Sequence, residues 1–167
     1  PIRQAWQTWT KTGWKNEGNG NWRYYGTNKT AYYKRWLNSG GVWYYFKADG
    51  MMARGWFLDG PTWYYASNSG AMQTGWMLQE STWYYLQPSG AMATNWFRVN
   101  GVWYYAYASG AMHTGWLKDG YTWYYLQPSG AMARGWHTSN NVWYYFDSSG
   151  AMVTGSRTIN GKVYRFS

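Results

Sequence analysis

The stretch Gly115-Trp116-Leu117-Lys118-Asp119-Gly120-Tyr121-Thr122-Trp123-Tyr124-Tyr125-Leu126 decides the fold. Two short β-prone runs flank Asp119-Gly120, a dipeptide that favours a tight hairpin turn, so the stretch reads as one β-hairpin. Strand alternation places Trp123 and Tyr125 on one face and Tyr124 on the other, which leaves rings on both sides. Ser129-Gly130-Ala131-Met132 follows as a connector. There Gly130 supplies the positive φ that a turn between hairpins demands, and Pro128 sits where a missing N–H does no harm.

Working outward, the unit recurs every twenty residues. Trp-Tyr-Tyr begins at Trp43, Trp63, Trp83, Trp103, Trp123 and Trp143, and a second tryptophan stands seven residues before each, at Trp36, Trp56, Trp76, Trp96, Trp116 and Trp136. A lone two-stranded hairpin is marginal in water, so neighbours must stack and bury one ring set between units. The expectation is an all-β solenoid of stacked β-hairpins, about 20 residues per repeat, with six hairpins in residues 36–155 and no helix longer than a turn.

The ends depart from the pattern. Residues 13–35 read as a degenerate first repeat, because Trp22-Arg23-Tyr24-Tyr25 follows Trp14 with one extra residue and Tyr32-Tyr33 replace the usual connector pair. The repeats then span 13–155, and 156–167 read as a C-terminal capping hairpin in which Ser156 replaces the first tryptophan and Val163-Tyr164-Arg165 replaces Trp-Tyr-Tyr. Residues 1–12 fit no unit and read as a linker or N-terminal extension.

Composition agrees. Of 167 residues 24% are aromatic, with 16 Trp and 19 Tyr, whereas Leu, Ile, Val and Phe together number 19, too few for an aliphatic core. Disorder is excluded by the same rings and by a charged fraction of only 13%. No apolar run is long enough for a membrane span, and Pro1 does not begin a charged-then-apolar leader. The chain has no cysteine, so a disulfide framework and a thiol nucleophile are both out. The net charge is +9, and residues 1–47 hold eight Lys and Arg against Glu17 alone, so +7 of it lies at one end. Such an end attracts polyanions by a screened field.

No catalytic or metal-ligand set emerges, so the expectation is a non-enzymatic chain without metal or cofactor. His113 and His137 occupy different repeat positions and read as surface substitutions. Asp59 and Asp119 precede glycine and read as turn residues. Repeated electron-rich rings without an obligatory acid suit a cation that cannot donate hydrogen bonds, such as a quaternary ammonium, whose charge is met by ring faces at roughly 0.5–2 kcal/mol each. Single-strand nucleic acid is disfavoured, since the positive charge does not accompany every ring platform.

Thr114 to Leu126, followed by Ser129-Gly130-Ala131-Met132, resembles the choline-binding repeat of surface proteins and cell-wall lytic enzymes of pneumococci, related streptococci and their phages. The likeness is strong over 36–155 and weak over 13–35 and 156–166. It implies a left-handed superhelix of hairpins on a secreted, cell-surface protein, holding the choline or phosphocholine of teichoic and lipoteichoic acids in aromatic cages at hairpin junctions. Each cage would take both tryptophans of one unit and a tyrosine of the next. Carried onto this chain, the cages are Trp36, Trp43 and Tyr65; Trp56, Trp63 and Tyr85; Trp76, Trp83 and Tyr105; Trp96, Trp103 and Tyr125; and Trp116, Trp123 and Tyr145. Trp136 and Trp143 begin a further cage that meets Arg165, and Trp14, Trp22 and Tyr45 are candidates for another. The second tyrosine of each triplet is chosen because it shares a strand face with the tryptophan. Similar repeats bind glucans, and the module can equally serve a cell-wall hydrolase whose catalytic domain lies upstream.

Overall fold

The computed structural model describes residues 4–167 and is built of antiparallel two-stranded hairpins. The strands are β1 (Gly13–Gly18) with β2 (Asn21–Tyr25), β3 (Arg35–Ser39) with β4 (Val42–Phe46), β5 (Gly55–Asp59) with β6 (Thr62–Ala66), and β7 (Gly75–Gln79) with β8 (Thr82–Leu86). They continue as β9 (Asn95–Val99) with β10 (Val102–Ala106), β11 (Gly115–Asp119) with β12 (Thr122–Leu126), β13 (Gly135–Ser139) with β14 (Val142–Phe146), and β15 (Gly155–Ile159) with β16 (Lys162–Phe166). The all-β repeat expectation holds, and the only helix among the described residues is a single 3-10 turn, Ala5–Gln7. Among the described residues, those up to Met77 together with Tyr85–Met92 form one compact unit, and Leu78–Tyr84 with Ala93–Ser167 form a second.

Each hairpin closes through a two-residue loop. Asn100-Gly101 and Asn140-Asn141 have positive φ at both positions (49° and 82°; 50° and 63°), the twist-matched type I′ geometry. Asp59 and Asp119 are not the loop residues that the sequence suggests. They pair with Thr62 and Thr122 as the last rungs of their ladders, and the loops are Gly60-Pro61 and Gly120-Tyr121. Only the glycine there has positive φ, 58° and 61°, as in a type II′ turn, whose first position glycine occupies without a Cβ clash.

The registers pair Trp36 with Tyr45 and Leu37 with Tyr44, and Trp116 with Tyr125 and Leu117 with Tyr124. One face of every regular hairpin thus carries both tryptophans and the second tyrosine, and the other carries the first tyrosine. Within a unit the hairpins stack the same way up, so the tryptophan face of one meets the first-tyrosine face of the next. In the first unit Trp36 and Tyr45 pack on Phe57 and Tyr64, with the Tyr45 and Phe57 rings stacked 5.1 Å apart.

In the regular hairpins the most buried strand position is not a triplet ring but the residue that follows the triplet. Phe46, Ala66, Leu86, Ala106, Leu126 and Phe146 are all at most 1% exposed. Burying a Leu or Phe side chain is worth about 1.5–3 kcal/mol, so this sparse spine supplements the rings as the core.

The connectors tie the spine together. In the first unit the amides of Met52, Met72 and Met92 donate to the carbonyls of Trp22, Trp43 and Trp63, each reaching the preceding hairpin; in the second, Met132 and Met152 donate to Trp103 and Trp123. Met52, Met72, Met112 and Met132 then lie against the glycine of the following connector. A Cβ on Gly130 would collide with the Met112 sulfur, and one on Gly70 with that of Met52.

Of residues 1–12, positions 1–3 lie outside the described residues. The rest packs on the first hairpin: the Ala31 amide donates to Gln7, the Trp9 amide to Lys29, and the Tyr25 hydroxyl to the Trp6 carbonyl. Arg23, 6% exposed, stacks over Trp6 at 4.5 Å and donates to the Asp49 carbonyl. Part of the basic end is therefore structural.

Gly130 and Gly115 have nearly equal φ, 89° and 92°, but only Gly130 lacks room for a Cβ. Both Gly→Ala changes should cost about 1–2 kcal/mol for the left-handed backbone. Gly130→Ala should cost at least about 1 kcal/mol more as Met112 is displaced. Denaturant titration of the two variants checks this.

Candidate ligand-binding site

Where two stacked hairpins meet, three rings leave an open box. In the first unit Trp36 stands edge-on to Trp43 (centroids 6.4 Å, planes 82°) and to Tyr64 of the next hairpin (4.9 Å, 70°). With Met72, Pro88 and Ser89 they line a cavity of about 470 Å³. The degenerate first repeat builds the same box from Trp14, Trp22, Tyr44 and Met52, around about 440 Å³. Its extra residue is absorbed as a bulge between Asn16 and Gly18, and Trp14 lies 4.9 Å from Tyr44. In the second unit Trp96 meets Tyr124 at 4.9 Å, Trp116 meets Trp123 at 6.2 Å and Tyr144 at 4.8 Å, and Trp136 meets Trp143 at 6.1 Å and Tyr164 at 4.8 Å.

The rings at these junctions are not simply core. Trp43, Trp63, Trp83 and Trp123 are 39–43% exposed, and Trp143 is 62% exposed. Large rings left open at the same register in successive hairpins are surface offered to a ligand. The walls are aromatic faces and thioether, so the box supplies negative π density without a hydrogen-bonding demand.

Trp36 with Trp43, Trp56 with Trp63, Trp116 with Trp123 and Trp136 with Trp143 come together as the sequence suggests, but the tyrosine is different. Tyr65, Tyr85, Tyr105, Tyr125 and Tyr145 each pack against the first tryptophan of their own hairpin: Trp56 (5.2 Å), Trp76 (4.9 Å), Trp96 (5.3 Å), Trp116 (5.1 Å) and Trp136 (5.1 Å). Tyr45 does the same with Trp36 at 5.1 Å, so it is Tyr44 that faces Trp14. Sharing a face makes the second tyrosine a cross-strand neighbour and turns it away from the preceding hairpin. The sequence does carry a signal for this: Val163-Tyr164-Arg165 keeps the first tyrosine and loses the second. Tyr164 accordingly completes the box of Trp136 and Trp143, around about 500 Å³, and Arg165 pairs with Ser156 instead.

Two residues outside the expected set hold the rings. The Trp36 indole N–H donates to Asp59 Oδ2 at 2.8 Å, and the Trp96 indole to Asp119 Oδ2 at 2.9 Å. His137 is no surface substitution either: its Nε2 is buried without a partner and its ring lies 4.2 Å from that of Tyr125. His113 bonds the Tyr107 hydroxyl and the Trp116 carbonyl. No group of three or more potential metal ligands occurs among the described residues, and no helix there is long and apolar enough to cross a membrane.

Residues 33–74, 59–97, 93–134 and 133–167 match the family model of the choline-binding repeat. The chain belongs to the choline-binding repeat family. Its hairpins resemble solved structures of CbpJ from Streptococcus pneumoniae TIGR4 (39% identity, TM-score 0.81, over 87% of this chain and 53% of that one) and of choline binding protein F from Streptococcus pneumoniae (39%, 0.78, over 93% and 56%). The modular autolysin LytC of Streptococcus pneumoniae is similar at 30% identity and TM-score 0.65, over 93% of this chain and 37% of that one. The chain thus spans a little over half the length of the first two relatives. A comparison with curated proteins gives no match.

The Tyr45 hydroxyl is held above its ordinary value near 10 by burial, then by the charge of Asp59 and a 3.4 Å hydrogen bond to that carboxylate. The folded state therefore keeps a proton that the unfolded chain has released. Stability from this group is complete below pH 10 and falls as pH rises through the raised value. Unfolding measured between pH 8 and about 11.5 should show this loss, and Tyr45→Phe should flatten it.

Proposed function

We propose that the chain is a non-catalytic cell-wall attachment module that binds choline or phosphocholine of teichoic and lipoteichoic acids. The observation that carries this is the repeated box of two tryptophans and the first tyrosine of the next hairpin, open to solvent and free of any obligatory polar partner. A trimethylammonium group has a charge spread under methyls, so it gains from ring faces and needs no acceptor. Within the two units the ligand-binding sets are Trp14, Trp22 and Tyr44; Trp36, Trp43 and Tyr64; Trp96, Trp103 and Tyr124; Trp116, Trp123 and Tyr144; and Trp136, Trp143 and Tyr164. Trp56, Trp63, Trp76 and Trp83 hold the same repeat positions and are read as walls on that ground.

Three walls supply about 2–6 kcal/mol gross, which after association costs leaves a single box in the millimolar range. Attachment then depends on several boxes engaging one polymer, where effective concentration raises apparent affinity by about 10²–10⁴. Location at the bacterial surface follows from such a polymer being the partner. Free choline at tens of millimolar competes directly and should release the protein from walls. Moderate salt should not, because it screens only the exposed charges of the basic end.

Choline titration against glucose oligomers, followed by tryptophan fluorescence and melting temperature, tests the reading. Choline at about ten times a millimolar Kd should add about 1.4 kcal/mol per occupied box, and the sugars nothing. A response to the glucose oligomers without one to choline would make the module a glucan binder.

Tyr144→Ala should reduce the choline stoichiometry by a single site and leave the fold largely intact. Tyr145→Ala should mainly lower the melting temperature, since that ring packs on Trp136 of its own hairpin. Equilibrium dialysis beside a thermal melt separates the two outcomes.

A further inference from the structure

The boxes are near-copies in their aromatic walls, yet they differ in the charge placed behind them. At the last rung of the first strand in the seven hairpins after the first stand Ser39, Asp59, Gln79, Val99, Asp119, Ser139 and Ile159, so only two of these positions carry a carboxylate. Both carboxylates accept the indole N–H of the first tryptophan of the preceding hairpin, at 2.8 Å and 2.9 Å. The ion pairs among the described residues all involve Glu17, so neither Asp59 nor Asp119 is neutralised by a salt bridge.

We propose that Asp59 is the specificity-determining residue of the Trp36, Trp43 and Tyr64 box, favouring a cationic quaternary ammonium over a neutral group of the same shape, and that Asp119 does so more weakly for the Trp96, Trp103 and Tyr124 box. The inference rests on the choline reading of the boxes. Two effects act in the same direction. An indole that donates to a carboxylate is polarised toward its ring, which deepens the negative face that a cation meets. The carboxylate also adds its own field, which a neutral ligand does not feel.

The two sites differ for reasons visible in the structure. Asp59 is half-buried, so solvent screens it less than the exposed Asp119. Across the ladder from Trp43 stands the uncharged Asn38, whereas the Arg98 guanidinium lies 5.9 Å over Trp103 and opposes a second cation there. The box of Trp136, Trp143 and Tyr164 has Ile159 at this register and serves as an internal reference.

The test uses the full chain labelled with 5-fluorotryptophan, so that the 19F resonances of Trp36, Trp96 and Trp136 report their boxes separately. It is titrated with choline and with its neutral isostere 3,3-dimethylbutan-1-ol. Asp59→Asn keeps an acceptor for the indole and removes the charge. It should weaken choline at Trp36 about three- to tenfold, leave the isostere unchanged there, and leave both ligands unchanged at Trp136. Asp119→Asn should weaken choline at Trp96 by less than about threefold. An unchanged choline-to-isostere ratio at Trp36 in Asp59→Asn overturns the proposal, and so does an equal loss of both ligands, which marks a purely orienting role. A loss of choline binding in Asp59→Ala that Asp59→Asn does not share overturns it too, because the acceptor and not the charge then matters. If choline moves no tryptophan resonance in the unmodified chain, the choline reading itself fails, and that result is distinct from all of these.

Discussion

A two-stranded hairpin has two faces and no third strand to cover either, and everything else in this chain answers that constraint. Each face must be met by a neighbouring hairpin or left to water. Within each unit, stacking hairpins the same way up meets it with a repeated interface in which the tryptophan face of one accepts the first-tyrosine face of the next. Because the strands are only five or six residues long, large rings must supply the contact area that longer aliphatic strands would otherwise give. The aromatic fraction is thus a consequence of the architecture before it is a property of any site.

The same geometry makes the site. Rings at a hairpin junction do not close on one another completely, although the backbones are tied by the methionine amide bonded to the preceding hairpin's tryptophan carbonyl. What remains is a box with an inner ring shared with the core and an outer ring that is partly exposed, by about two-fifths at Trp43 and Trp123 and by 62% at Trp143. Trp36 illustrates the double duty: it packs on Tyr45, Phe57 and Tyr64, and its remaining surface lines the cavity. On the proposed function, ligand binding and stacking are therefore coupled, since a cation held between two hairpins favours the stacked state over the separated one.

The period, the hairpins and the pairing of tryptophans are legible in the sequence, because twenty-residue recurrence and strand alternation are local properties. The tyrosine is not legible from alternation alone. Alternation says which residues share a face, as Trp123 and Tyr125 do, but not which face a neighbour meets, and that is set by the orientation of stacking. Leu126 and its counterparts do not stand out, because one apolar residue after an aromatic triplet has no distinctive pattern, and only burial shows it to be the spine. Asp59 is masked by the glycine after it: Asp-Gly is a common turn signal, and the shift of the loop to Gly60-Pro61 frees the carboxylate to meet Trp36. His137 fills a position that Phe57, Phe97 and Leu117 fill elsewhere, and nothing in its spacing marks its buried nitrogen.

On the proposed function, small differences among such copies matter because several boxes engage one polymer. In a chain of weak sites bound to one polymer, the order of engagement follows the on-rate and lifetime of each contact, and both depend on the local field. The half-buried Asp59 behind one box, and the exposed Asp119 with the Arg98 guanidinium at another, make the boxes unequal. The basic end adds a second bias, reduced because Arg23 is engaged by Trp6 and the Asp49 carbonyl, while Arg35 lies over Tyr32 at 3.9 Å. An anionic polymer carrying quaternary ammonium groups meets both kinds of field, and its phosphates and its cations select different parts of the surface. Near-identical repeats can in this way hold a polymer in a preferred register although no single box recognises more than one small cation.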